Sequence, residues 1–69
     1  MSRMRTFQAQ LTLPASIARV QAAAHAIERI GGRVEIRSAG TAGVTIVRLH
    51  LPEPHAPERF VPGLPFYPA

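Results

Sequence analysis

The sequence predicts an α+β fold: a strand–helix–strand–strand unit over residues 1–51, then an extended proline-rich tail over residues 52–69. Three observations carry this. Arg5–Leu13 and Arg33–Ser38 alternate apolar and polar residues with period two, as half-buried strands do. Between them, Ile17, Val20, Ala24, Ile27 and Ile30 recur at intervals of three and four, the stripe of an amphipathic helix. Finally, six prolines fall within the last eighteen residues, a density that favours extended, polyproline-like backbone.

In the first strand Phe7, Ala9, Leu11 and Leu13 point one way and Thr6, Gln8, Gln10 and Thr12 the other. Pro14 suits the first turn of a helix, where its missing N–H costs nothing, and Ser16 is a nearby candidate cap. Arg19, His25, Glu28 and Arg29 lie off the apolar stripe, and Ala22–Ala24 combines helix propensity with a small profile. Gly31–Gly32 ends the helix, since glycine readily supplies a left-handed cap.

In the second strand Val34 and Ile36 point inward. Ala39–Gly43 forms a hairpin connection into a third strand, Val44–Leu51, whose apolar residues occupy both parities. That suits a central strand, or one with a bulge near Ile46–Val47. A right-handed crossover makes strands one and two parallel with a gap, and the hairpin returns strand three into it, giving the order 1-3-2. The result is a ferredoxin-like half-domain whose first strand keeps a free outer edge. The expected core is Phe7, Leu11, Ile17, Val20, Ile27, Val34, Ile36 and Leu49.

Size limits what such a unit can do. A chain of 69 residues buries only about 60% of its unfolded surface, and a core this small supplies roughly 3–5 kcal/mol. With no cysteine there is no disulfide to make up the difference, which leaves association with a second copy, a dimer, or with a larger partner. Exposed sheet edges invite such pairing. Phe60, Val61, Leu64, Phe66 and Tyr67 are too apolar for a solvated linker and are the expected partner-binding anchors of the tail.

No catalytic constellation is visible. Cys, Asp and Lys are absent, Glu28, Glu35, Glu53 and Glu58 are scattered, and Ser16 and Ser38 lack evident His and acid partners. His25, His50 and His55 show no ligand spacing, so neither a metal nor a cofactor is expected. Gly40–Gly43 lacks the Lys-Ser/Thr of a phosphate-binding loop. The spacings Pro62 to Pro65 and Pro65 to Pro68 fit ligands of aromatic-grooved domains but arise easily at this proline density.

The net charge of +4 is carried by eight arginines spread along the chain, with no run of like charge. Gln8, Gln10, Arg33, Arg37, Arg48 and His50 would share the open face of the sheet and could meet phosphates. Without aromatics on strands two and three, a solvated or subunit-facing surface outweighs nucleic-acid binding. No export signal and no stretch near the roughly 20 apolar residues of a membrane span is apparent, which places the expected protein in the cytoplasm, away from membranes.

Pro14-Ala15-Ser16-Ile17-Ala18-Arg19-Val20 resembles the segment opening the first helix of ACT-type regulatory domains. The likeness is to short regulatory subunits of acetolactate (acetohydroxyacid) synthase, which carry a proline, two variable residues, a leucine, a variable residue and then Arg-Val. Ile17, Arg19 and Val20 occupy the matching places, and Glu28–Val34 resembles the family's helix end and glycine turn. The resemblance covers about Phe7 to Leu51. It implies sheet-to-sheet dimers and a non-catalytic role beside a larger catalytic subunit, in amino-acid biosynthesis. It also implies an amino-acid effector site at the first strand–helix turn, here Thr12, Pro14, Ala15, Ser16 and Ile17. The chain departs from the family where Thr12 stands for an acid and Ala15 for a glycine, and neither a second helix nor a fourth strand is expected. Ala15 crowds the turn, so binding a catalytic subunit is the expectation ahead of binding an amino acid.

Overall fold

The computed structural model describes residues 3–38 and 43–69. Strand β1 (Met4–Leu11) leads to helix α1 (Pro14–Arg29), then β2 (Arg33–Ser38) and β3 (Thr45–Pro52). A 3₁₀ turn (Pro57–Arg59) and a two-residue strand, β4 (Tyr67–Pro68), complete the chain. The fold is α+β, with one helix against a four-stranded antiparallel sheet of order β2-β3-β1-β4. Most of the hairpin expected at Ala39–Gly43 lies outside the described residues.

Helix α1 starts at Pro14 on an extended Leu13, whose carbonyl accepts from the N–H groups of Ser16 (3.0 Å) and Ile17 (3.2 Å). No side chain caps this end, so Ser16 does not serve as the expected cap. At the other end Gly31 N–H donates to Glu28 O (3.0 Å) and Gly32 N–H to Ile27 O (2.9 Å), the paired bonds of a Schellman turn. Gly31 sits at φ 90°, a left-handed conformation that glycine adopts without strain. Gly32 is needed for a different reason: a Cβ there would lie 2.6 Å from His50 O and 2.7 Å from Ile27 Cγ2. The turn therefore presses directly on β3.

Strand β3 is central, and its pairing runs one-to-one with β1, from Met4 opposite Pro52 to Leu11 opposite Thr45, and with β2, from Arg33 opposite His50 to Ser38 opposite Thr45. The unbroken registers leave no bulge at Ile46–Val47. Both parities are apolar because β3 has neighbours on each side: Val47, Leu49 and Leu51 are buried toward α1, while Ile46 is half-buried on the opposite face.

The core is Phe7, Ala9, Leu11, Val20, Ile27, Val47, Leu49, Leu51 and Val61, with Ile17, Val34, Phe60, Leu64 and Phe66 packed around it. Ile36, expected inside, is 40% exposed. The Gly31–Gly32 turn joins α1 to the start of β2, so Val34 is half-covered, whereas Ile36, two residues further along an edge strand, is not.

The tail departs from uniform extension. Glu53 N–H donates to Arg3 O (2.8 Å), and the 3₁₀ turn directs Val61 into the core, where it is 1% exposed. An Arg19 guanidinium N–H donates to Pro62 O (2.7 Å), tying α1 to the tail. The chain end then covers part of an edge expected to be free: Tyr67 and Pro68 pair with Gln8 and Phe7, and Ala69 N–H donates to Thr6 O (2.9 Å). The tail thus supplies apolar cover and edge pairing that the strand–helix–strand–strand unit lacks.

Candidate functional site

Alternation along each strand fixes what the face opposite α1 carries. The cross-strand registers set three rows: Thr6, His50 and Arg33; Gln8, Arg48 and Glu35; Gln10, Ile46 and Arg37. Tyr67 extends the middle row beyond Gln8.

Two hydrogen-bond chains cross this face. In the first, Thr6 Oγ1 lies 3.0 Å from His50 Nδ1 and Glu35 Oε1 lies 2.5 Å from His50 Nε2. With a proton on Nε2 the imidazole donates to the carboxylate, while Nδ1 pairs with the Thr6 hydroxyl. Arg33 adds a looser ion pair to the same Glu35 oxygen at 3.6 Å. In the second chain, Arg48 Nε donates to Gln8 Oε1 (2.8 Å) and Gln8 Nε2 donates to Tyr67 Oη (3.1 Å). All four strands are thereby linked through side chains.

The electrostatics favour an ionised Glu35. The hydrogen bond from His50 is the largest influence holding its carboxyl below the usual value; desolvation opposes it, and the charges of His50, Arg33 and Arg48 reinforce it. Glu35, Arg37, Ile46 and Arg48 line a shallow hollow on this face, and a second hollow at its margin is lined by Met4, Gly31, Gly32, Arg33 and His50.

The Thr6–His50–Glu35 chain has the residue types of a nucleophile, base and acid, and it is not legible from local spacing because its members come from three strands. Strand register is the signal that unites them. Here the hydroxyl is already bonded to the imidazole, and the chain as a whole cross-links β1, β3 and β2. Among the described residues no cluster of three or more His, Cys, Asp or Glu could hold a metal. Nor does any described helix have the length and apolar character to cross a membrane.

The residues expected to bind an amino acid form one contiguous turn at the end of β1. Thr12, Pro14 and Ala15 are exposed, Ser16 is half-buried, and Ile17 packs on the core. The expected partner-binding residues separate by role. Val61 is consumed by the chain's own core; Phe60, Leu64 and Phe66 are half-buried around it; Tyr67, 47% exposed, stands on the open face.

Among the described residues, β4 covers β1 only at Phe7 and Gln8, and the opposite edge of the sheet carries no added strand. β2 is an edge strand of six residues, paired among the described residues with β3 alone. Its outer side presents unpaired N–H and C=O groups beside the exposed Ile36, a combination that templates strand addition. Comparison with protein-family models, with curated proteins and with solved structures finds no match to this chain in any of the three.

Proposed function

We propose that this protein is a non-catalytic accessory or regulatory subunit that dimerises through its sheet and binds a larger enzyme. The observation that carries the reading is the bare outer edge of β2 with Ile36 exposed beside it. A core this small gains from any neighbour that covers such a surface. We read the sheet order β2-β3-β1-β4, with α1 on one face, as ferredoxin-like, the tail taking the place of the second helix. Together with the ACT-like segment at Pro14–Val20, this supports acetolactate synthase, a thiamine-diphosphate enzyme, as the larger partner. The β1–α1 turn at Thr12–Ile17 is where an amino-acid effector would act, and Phe60, Leu64, Phe66 and Tyr67 offer the tail surface for docking.

The test is to mix the purified protein with the acetolactate synthase catalytic subunit of the same organism, measuring co-elution on gel filtration and turnover. Co-elution with altered turnover or altered inhibition by a branched-chain amino acid is the expected result. Separate elution with unchanged turnover overturns the choice of enzyme.

A second reading has its own observation. Arg33, Arg37 and Arg48 share the open face with Tyr67, an aromatic that β4 brings there. Guanidinium groups beside a stacking ring suit single-stranded nucleic acid. Affinity for a single-stranded RNA that falls steeply between low and physiological salt, and falls again in Tyr67→Ala, would favour this reading over the first.

A further inference from the structure

We infer that two copies of this chain join antiparallel through β2, with Ile36 on the two-fold axis, making one continuous eight-stranded sheet. The inference rests on the sheet-dimer reading and specifies its contact. A two-fold axis between antiparallel strands requires a residue to meet its own copy, and in β2 the choice is narrow. With Val34 or Arg37 on the axis, three strand positions overlap; with Glu35 or Ile36, five do. Centring on Glu35 sets two carboxylates opposite each other and places Arg33 opposite the second copy's Arg37. Like charges directly opposed destabilise a ladder.

Centring on Ile36 reverses both signs. Glu35 meets Arg37 of the second copy, Arg37 meets Glu35, and Val34 meets Ser38. The two Ile36 side chains, each 40% exposed in the isolated chain, meet on the α1 side, while both ion pairs form on the open face. Glu35 can accept the added partner. His50 and Arg33 both engage its Oε1, leaving Oε2 available. Arg37 is exposed and has no ion pair among the described residues. The alternation Arg33-Glu35-Arg37, which on a solitary edge would discourage pairing, becomes self-complementary at this one register.

The absence of cysteine makes the register readable. Opposed Cα atoms in an antiparallel ladder lie about 4.5–5.5 Å apart, within the roughly 4.4–6.8 Å that disulfides span. Ile36→Cys under mild oxidation is expected to convert most of the protein to a covalent dimer, and Val34→Cys little of it. Arg37→Glu should weaken dimerisation by about tenfold or more, and Arg33→Glu, equal in net charge, should change it little. Preferential cross-linking through Val34→Cys, or a dimer that neither variant cross-links, overturns this register while leaving an associating protein. A wild-type chain that stays monomeric at tens of micromolar overturns the dimer reading as well.

Discussion

His50 Nε2 reaches diagonally across the ladder to Glu35 Oε1, 2.5 Å away, although the residue directly opposite His50 on β2 is Arg33. On its other side the same imidazole bonds Thr6, its direct opposite on β1. One carboxylate thus adds a side-chain tie between the charged edge strand and the central strand, beside their backbone ladder. Because that carboxyl is held below its ordinary value of 4.5, chiefly by the His50 hydrogen bond, the folded state favours its ionised form. The stabilisation is complete above the unfolded value and is lost as pH falls through the lower folded one. Glu35→Gln should therefore melt below wild type near neutral pH, with the gap closing in acid. Melting curves from about pH 6 to about pH 3 check this; a gap independent of pH would show that the carboxylate's ionisation is not what matters.

The tail is predicted to be part of the folding unit. Val61 is 1% exposed within the core, so Val61→Ala removes buried methyl groups and should cost about 2 kcal/mol, roughly 10 °C in melting temperature for a domain this small. Urea unfolding measures it directly. A change under about 0.5 kcal/mol, as exposed positions give, would mean that the tail is loosely held.

Adjacent glycines should respond through different mechanisms. Gly32→Ala forces a methyl group to 2.6 Å from the His50 carbonyl and 2.7 Å from Ile27 Cγ2, and overpacking of this kind costs about 1–3 kcal/mol. Gly31→Ala meets no atom within 4 Å but keeps φ at 90°, so its cost of about 1–2 kcal/mol comes from the left-handed backbone. Asparagine, which tolerates that conformation, should recover part of the loss at position 31 and none at position 32. Equal responses to asparagine at the two sites would contradict this division.

The link from helix to tail gives a smaller effect. Arg19→Ala removes the exposed guanidinium bond to Pro62 O and should cost about 0.5–1.5 kcal/mol. Combined with Val61→Ala, the loss should fall short of the sum of the two, since both loosen the same segment. Strict additivity in a double-mutant cycle would show that the tail is held at independent points.

These positions also mark what the sequence could reveal. Period-two and helical spacing located Phe7, Leu11, Val20 and Ile27 because local pattern decides which way a side chain points. Pattern does not decide whether anything covers that side. Ile36 alternates as an inward residue, yet it sits beyond the reach of the glycine turn on an edge strand. Val61 shows the converse, since its burial depends on the fold of a proline-rich segment in which neither period applies. The open-face chains were out of reach for a third reason. Thr6 and His50 are 44 positions apart and Glu35 and His50 are 15 apart, and strand register alone unites them. The β1–α1 turn was readable as a turn from Pro14, whereas its chemistry depends on what approaches Thr12 and Ala15 from outside the chain.

Sedimentation equilibrium of the full chain, from about one to tens of micromolar, bears most directly on whether an unfinished edge drives association. The expected outcome is a reversible rise from the 7.5 kDa chain mass toward twice that value, abolished by replacing Ile36 with proline, which removes an edge N–H. A single species at the chain mass throughout, with the proline variant indistinguishable from it, would contradict an association module built on β2.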